Sequence, residues 1–197
     1  MKKTKITSIA VFCGSSCGTD PSYSAQARLL GESLAKRGIR LVFGGSNVGL
    51  MHDLANGALE AGGEVTGVMP RFLYDKGIAH TGLSQMVLVD TMHQRKMQMS
   101  ELCEGVIVLP GGFGTFDECF EMITWAQLGI HQKPIALLNV QGYYDPLLEM
   151  IRRMVDQGFL KDEHRGMLII SPDVQKVLDT MHDYMPAHTG KWINGEP

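Results

Sequence analysis

The segment Pro110-Gly111-Gly112-Phe113-Gly114-Thr115 has the composition of an anion-binding turn. It follows a short apolar run, Gly105 to Leu109, and leads into a helical pattern from about Thr115 to Leu128. A helix start preceded by glycines leaves backbone N–H groups unpaired and unshielded by side chains. With the positive end of the helix dipole and the Thr115 hydroxyl, such a start binds phosphate. The Gly-Lys-Ser/Thr ending of a P-loop is missing, as is the Gly-x-Gly-x-x-Gly spacing of dinucleotide sites. Glu118 lies three residues beyond Thr115, one helical turn on and on the same face, with about 5–6 Å expected between their Cβ atoms. A carboxylate there stands about one sugar's length from a bound phosphate. A first-turn acid stabilised by the helix dipole, by ~0.3–1 kcal/mol, accounts for Glu118 equally well.

A second source of charge is Met92-His93-Gln94-Arg95-Lys96, at the start of a predicted helix from Thr91 to Glu104. Arginine pairs bidentately with carboxylate or phosphate. Cations near a helix N-terminus are disfavoured unless an anion compensates, so Arg95 and Lys96 are candidates for ligand contact. Two further glycine turns, Gly14-Ser15-Ser16 and Gly44-Gly45-Ser46, also end predicted strands. Turn geometry explains any one of them. Three at one sheet edge indicate a site that the backbone must approach closely. The seven histidines show no metal spacing, and Cys13, Cys17, Cys103 and Cys119 fit neither a CxxC pair nor a disulfide framework. Free thiols are expected, with no metal and no cofactor.

These groups are held by an alternation of strand and helix. Strands are predicted at Ile6 to Cys13, Ile39 to Phe43, Glu64 to Met69, Met86 to Val89, Gly105 to Leu109, Pro134 to Leu138 and Met167 to Ile170. Helices are predicted from Asp20-Pro21 to Gly38 (apolar stripe Leu29, Leu30, Leu34, Ala35), Val48 to Ala61, Thr91 to Glu104, Thr115 to Leu128, Asp145 to Gln157, and after Ser171-Pro172-Asp173. Residues 71–83 read as a loop with a short helix. The pattern predicts an α/β fold, a doubly wound parallel sheet of about six to seven strands with helices on both faces. Ligands of such sheets bind beyond the carboxyl ends of the strands, where strand order reverses. A chain of 197 residues fits one domain, taken as residues 1–185 with a tail at 186–197. A net charge of −3 with no basic stripe argues against nucleic acid as partner. The apolar run after the basic N-terminus is too short for a signal peptide, and no segment approaches the ~18 apolar residues of a membrane span, so a soluble cytoplasmic protein is expected.

The segments Met92 to Lys96 and Pro110 to Glu118 together resemble the paired signature of the Lonely Guy family, the cytokinin riboside 5′-monophosphate phosphoribohydrolases, earlier labelled lysine decarboxylases. The resemblance covers nearly the whole chain: Cys13-Gly14-Ser15-Ser16, Gly44-Gly45-Ser46 with Gly49-Leu50-Met51, Thr124 to Gly129, Leu138-Asn139-Val140 and Gly142-Tyr143-Tyr144. It implies a Rossmann-like homodimer that binds AMP-class nucleotides near the subunit interface. It also implies that Arg95 and Glu118 act on the N-glycosidic bond, with Gly111, Gly112, Gly114 and Thr115 as phosphate loop. Gly14, Ser15, Gly45 and Lys96 complete the expected nucleotide contacts. Ser46 and His52 stand where glycine is usual in the family, which bears on base preference more than on reaction type. A pyridoxal-phosphate decarboxylase needs a Schiff-base lysine and an acid facing the pyridine nitrogen. No lysine here has such a context, and the decarboxylase reading is rejected.

The implied reaction is hydrolysis of a nucleoside 5′-monophosphate to free base and ribose 5-phosphate. An ionised Glu118 would stabilise an oxocarbenium-like transition state or orient water, and Arg95 would hold it and keep its pKa low. Asp117, Glu121 or water is left to protonate the departing base. The alternative is a carrier of a nucleotide or of molybdenum cofactor, which needs the phosphate loop but neither Arg95 nor Glu118. The methionine-rich helix from Thr91 to Cys103, with Phe120 to Leu128, is the candidate dimer face, although both segments suit internal core as well.

Overall fold

The computed structural model describes residues 6–185, so the expected tail at 186–197 lies outside the described residues. Among these, seven strands occur: β1 Ser8–Phe12, β2 Arg40–Phe43, β3 Val65–Pro70, β4 Gln85–Val89, β5 Gly105–Val108, β6 Ile135–Leu138 and β7 Leu168–Ser171. Between them run α1 Pro21–Lys36, α2 Gly49–Glu60, α3 Arg71–Tyr74, α4 Met92–Glu101, α5 Phe113–Gln127, α6 Asp145–Asp156 and α7 Asp162–Arg165. A 3-10 turn covers Val140–Gly142, and α8 Val174–His182 follows β7.

All strands pair in parallel, in the order β4-β3-β2-β1-β5-β6-β7. The chain works outward from β1 to β4, returns to place β5 beside β1, and continues the other way. The reversal lies between β1 and β5. Loops leaving their carboxyl ends diverge to opposite faces and open a crevice there.

The strands are apolar on both faces because both are covered. Ile9 and Val11 of β1 pack with Leu30 and Leu34 of α1, Leu54 of α2 and Leu178 of α8. Ala10 and Phe12, on the opposite face, pack with Met99 of α4, Cys119 and Met122 of α5, and Tyr144.

Three differences from the sequence reading have local causes. The buried stripe of α1 runs through Ala27, Leu30, Gly31 and Leu34, which recur every three or four residues, while Leu29 turns outward. Helix α5 begins at Phe113, two residues before Thr115, with Gly112 as its N-cap. The four-residue α7 and the 3-10 turn are too short to produce a hydrophobic period and are not legible in the sequence.

Candidate active site

The first and third glycine turns meet at the crevice. The Gly14 N–H donates to the Pro110 carbonyl at 3.0 Å, which ties the end of β1 to the end of β5. The fit is backbone against backbone. A Cβ on Gly111 would come 2.8 Å from the Gly14 nitrogen and 2.2 Å from the Thr115 hydroxyl oxygen, so only glycine permits this contact. Beside Gly112 and Gly114, by contrast, nothing lies within 4 Å of an added Cβ, and the outer side of the loop is open. A cavity of about 300 Å³ forms here, lined by residues 14–18, Gly111 and Gly112, with Tyr23, Leu50 and Tyr143 as walls. The Gly112 N–H finds no acceptor among the described residues. Thr115 is buried behind the loop.

The charged half of the site is built by α4 and α5. Helix α4 starts with a capping box: the Thr91 hydroxyl accepts from the Gln94 N–H at 3.1 Å, and the Gln94 side chain accepts from the Thr91 N–H at 3.1 Å. Two otherwise unpaired N–H groups are satisfied, and the first turn is held in place. From that turn Arg95 reaches under the sheet edge. Its Nε donates to the Val68 carbonyl of β3 at 3.1 Å, and its Nη1 lies 3.5 Å from Glu118 Oε1. Both side chains are nearly buried, with 12% and 9% exposure. Gly44 makes the space: a Cβ there would stand 1.9 Å from the guanidinium.

Glu118 falls in the second turn of α5, since the helix starts at Phe113. The dipole effect fades beyond the first turn, and a dipole-stabilised surface acid would not be buried. The structural position therefore removes the helix-start explanation left open by the sequence. Burial pushes the Glu118 carboxyl above its ordinary range, and Arg95 only partly offsets this. This corrects the expectation of a low pKa: desolvation of a nearly enclosed carboxylate outweighs a single ion pair at 3.5 Å. Cys13, one residue before Gly14, feels the fields of Glu118 and Arg95, and its thiol is pushed up chiefly by burial. The ionic pair and the glycine cavity thus adjoin through the end of β1 and the first turns of α5.

Lys96 has a different destination from the expected nucleotide contact. Its ammonium sits 3.0 Å from Asp117 Oδ2 and 3.1 Å from Glu121 Oε2, both on α5. Burial opposes its charge, but these hydrogen bonds prevail and raise its pKa. The two acids proposed for protonating the base are thereby occupied, one on each side of Glu118. Gly45 likewise lies away from the cavity: its carbonyl accepts from the His80 N–H at 2.9 Å, and its φ of 76° turns the chain beside Met86. Residues that sequence reasoning left without a role are Gly44, Tyr23 and Tyr143. The signal for the last two was their place between a strand end and the following helix (Tyr143, just after the 3-10 turn that follows β6) or in a first helical turn (Tyr23 of α1) at the carboxyl edge.

Among the described residues, no group of three or more His, Cys, Asp or Glu is placed to hold a metal, and no helix is long and apolar enough to cross a membrane. Met99 and Met122 are core residues, whereas Met97 and Phe120 are exposed on α4 and α5, and Phe113 at the loop tip is 97% exposed.

Residues 51–181 match a family model described as "Possible lysine decarboxylase". The chain is 41% identical, over 94% of its length and 87% of the relative's, to the cytokinin riboside 5′-monophosphate phosphoribohydrolase LOG2 of Arabidopsis thaliana. It is 43% identical, over 91% of its length and 81% of the relative's, to the probable phosphoribohydrolase LOGL1 of Oryza sativa subsp. japonica. Among solved structures, the molybdenum cofactor binding protein of Rippkaea orientalis matches with a TM-score of 0.70 at 21% identity, covering 92% of this chain and 98% of that one. At that identity the likeness concerns the fold alone.

Proposed function

We propose that this chain, which belongs to the cytokinin riboside 5′-monophosphate phosphoribohydrolase family, hydrolyses the N-glycosidic bond of a nucleoside 5′-monophosphate, AMP or a cytokinin riboside 5′-monophosphate, to free base and ribose 5-phosphate. The observation that carries the residue-level reading is the buried Arg95–Glu118 pair beside the glycine cavity at the strand-order reversal. The family model's older description names a different reaction. A Schiff-base lysine acts as the free amine, and Lys96, beside Arg95 on α4, is held charged between two carboxylates.

The 5′-phosphate occupies the cavity against Gly111, Gly112 and Gly114, held by backbone N–H groups and the start of α5. Gly14 and Ser15 close the opposite wall. This anchoring lays the ribose toward Glu118, three residues past Thr115, and supplies orientation for the bond to be broken. Positive charge develops at the anomeric carbon, and the Glu118 carboxylate stabilises it or orients the attacking water. Arg95 fixes that carboxylate through its own bond to β3. With Asp117 and Glu121 engaged by Lys96, water protonates the departing base. The active unit is a homodimer that joins through Phe113, Met97 and Phe120, apolar side chains left exposed beside the site. The enzyme works in the cytoplasm, where its four free cysteines stay reduced.

The test is chromatographic release of base from AMP and from isopentenyladenosine 5′-monophosphate by wild type and by Glu118→Gln. Release by wild type that is lost in the variant supports the assignment. Binding of nucleotide without release of base by wild type leaves a carrier instead, for which Arg95 and Glu118 have no task.

A further inference from the structure

Two adjacent tyrosines fasten the phosphate loop from outside. The Tyr144 hydroxyl, fully buried, donates to the Leu109 carbonyl at 2.7 Å. The Tyr143 hydroxyl donates to the Gly111 carbonyl at 2.5 Å, and its ring, 36% exposed, walls the cavity. Tyr143 is held edge-on between Tyr144 (centroids 5.1 Å apart) and Tyr23 of α1 (6.0 Å). Its position is therefore set independently of the loop it touches.

The peptide it grips is the one between Gly111 and Gly112. In a planar trans peptide the carbonyl of the first residue and the N–H of the second point in opposite directions, so fixing one fixes the other. A glycine on each side leaves this peptide no Cβ to resist rotation. Rotated, it would present a carbonyl oxygen where an N–H is needed, and that oxygen would repel an anion. We propose that Tyr143 is a positioning residue for the substrate's phosphate: by holding the Gly111 carbonyl, its hydroxyl keeps the Gly112 N–H free to meet a phosphate oxygen. This rests on the phosphate assignment made above for the same cavity.

Calorimetric titration of the intact protein with ribose 5-phosphate and with adenosine separates the possibilities. Tyr143→Phe keeps the ring and its packing and removes only the hydroxyl. The expected result is a three- to tenfold weaker Kd for ribose 5-phosphate, about the net worth of one hydrogen bond, with the adenosine Kd unchanged. For AMP, KM rises by a similar factor while kcat stays within about twofold. Tyr144→Phe is the control: its buried bond is lost, so Tm falls, but discrimination between the two ligands stays at the wild-type value. Equal losses for both ligands, no loss for either, or the same pattern from Tyr144→Phe overturns the inference while leaving the phosphate site intact. Failure of the wild-type chain to bind ribose 5-phosphate overturns the phosphate assignment itself and the role of Tyr143 with it.

Discussion

Arg95 and Lys96 are consecutive residues of α4, both nearly buried and both facing carboxylates of α5, yet they end in opposite kinds of environment. Lys96 places a compact charge between Asp117 and Glu121 and is fully matched by them. Arg95 spreads its planar fork over a backbone carbonyl of β3, the open side of Gly44 and a single, nearly enclosed carboxylate. One pair is a structural rivet between helices. The other is under-compensated, and Glu118 keeps a raised pKa in consequence. The contrast shows how one helix turn can supply both support and reactivity: the guanidinium holds geometry through several donors, and the ammonium pairs with the two acids whose charges also bear on Glu118.

The largest effect that sharpens this contrast comes from Glu118→Gln, expected to lower kcat by about 10²–10³-fold, the usual cost of one transition-state electrostatic contact. Glu121→Gln, on the riveted side, is expected to stay within a few-fold in the same assay of base release. Comparable losses from both would erase the distinction. Next in size is Gly44→Ala. The added methyl meets the flexible end of Arg95 rather than backbone, so the guanidinium shifts and the fold survives. A displacement of that order costs up to about 10²-fold in rate. An active Gly44→Ala enzyme would show that Arg95 need not sit where it does.

Exchanging the cations is a finer test. Arg95→Lys loses the bond to Val68 and the contact with Glu118 together and is expected to cost as much as Gly44→Ala, up to about 10²-fold in kcat/KM, whereas Lys96→Arg stays within about threefold. Lys96→Met removes the rivet; with Asp117 largely exposed, about 1–2 kcal/mol of stability is at stake, or roughly 4 °C in Tm for a chain of this size. If nucleotide affinity collapses instead while Tm holds, the ammonium belongs to the ligand after all.

The smallest effect concerns pH. Burial holds Glu118 protonated to higher pH in the folded than in the unfolded chain. In that window the folded state binds more protons, so wild-type stability declines as pH rises. Relative to Glu118→Gln, the wild-type Tm should therefore fall steadily from the ordinary carboxylate range through the folded-state pKa, and differ by a constant amount below that range and above that pKa. A Tm difference that moves the other way would mean that Arg95 dominates and the carboxyl is held low.

Much of the fold was legible because parallel strands buried on both faces read as apolar runs, and four of the seven expected runs, those ending at Cys13, Phe43, Met69 and Leu109, are followed directly by glycine or proline. Gly111, Gly112 and Gly114 were legible for a related reason: a helix start stripped of side chains has one common use. Glu118 was found by counting along a helix, but its standing against a dipole-stabilised acid depended on where that helix began, a matter of two residues. Lys96 was read with Arg95 because adjacent residues share a neighbourhood in sequence. In the helix they diverge by about 100°, which sends one cation to the sheet and the other across to α5.

Chain order alone determined the alternation of strand and helix, the parallel sheet, and the presence of an anion-seeking loop with an acid and a base nearby, because these follow from periodicity and from residue chemistry within one or two turns. Which strands became neighbours, and hence that Gly14 meets Gly111, that Gly44 makes room for Arg95, and that Tyr143 reaches the Gly111 carbonyl from 32 positions away, was decided only by the packed sheet. The titration of Glu118 belongs to the same class. Desolvation depends on everything that encloses a group, and no span of sequence around residue 118 contains the α4 and β1 atoms packed against α5.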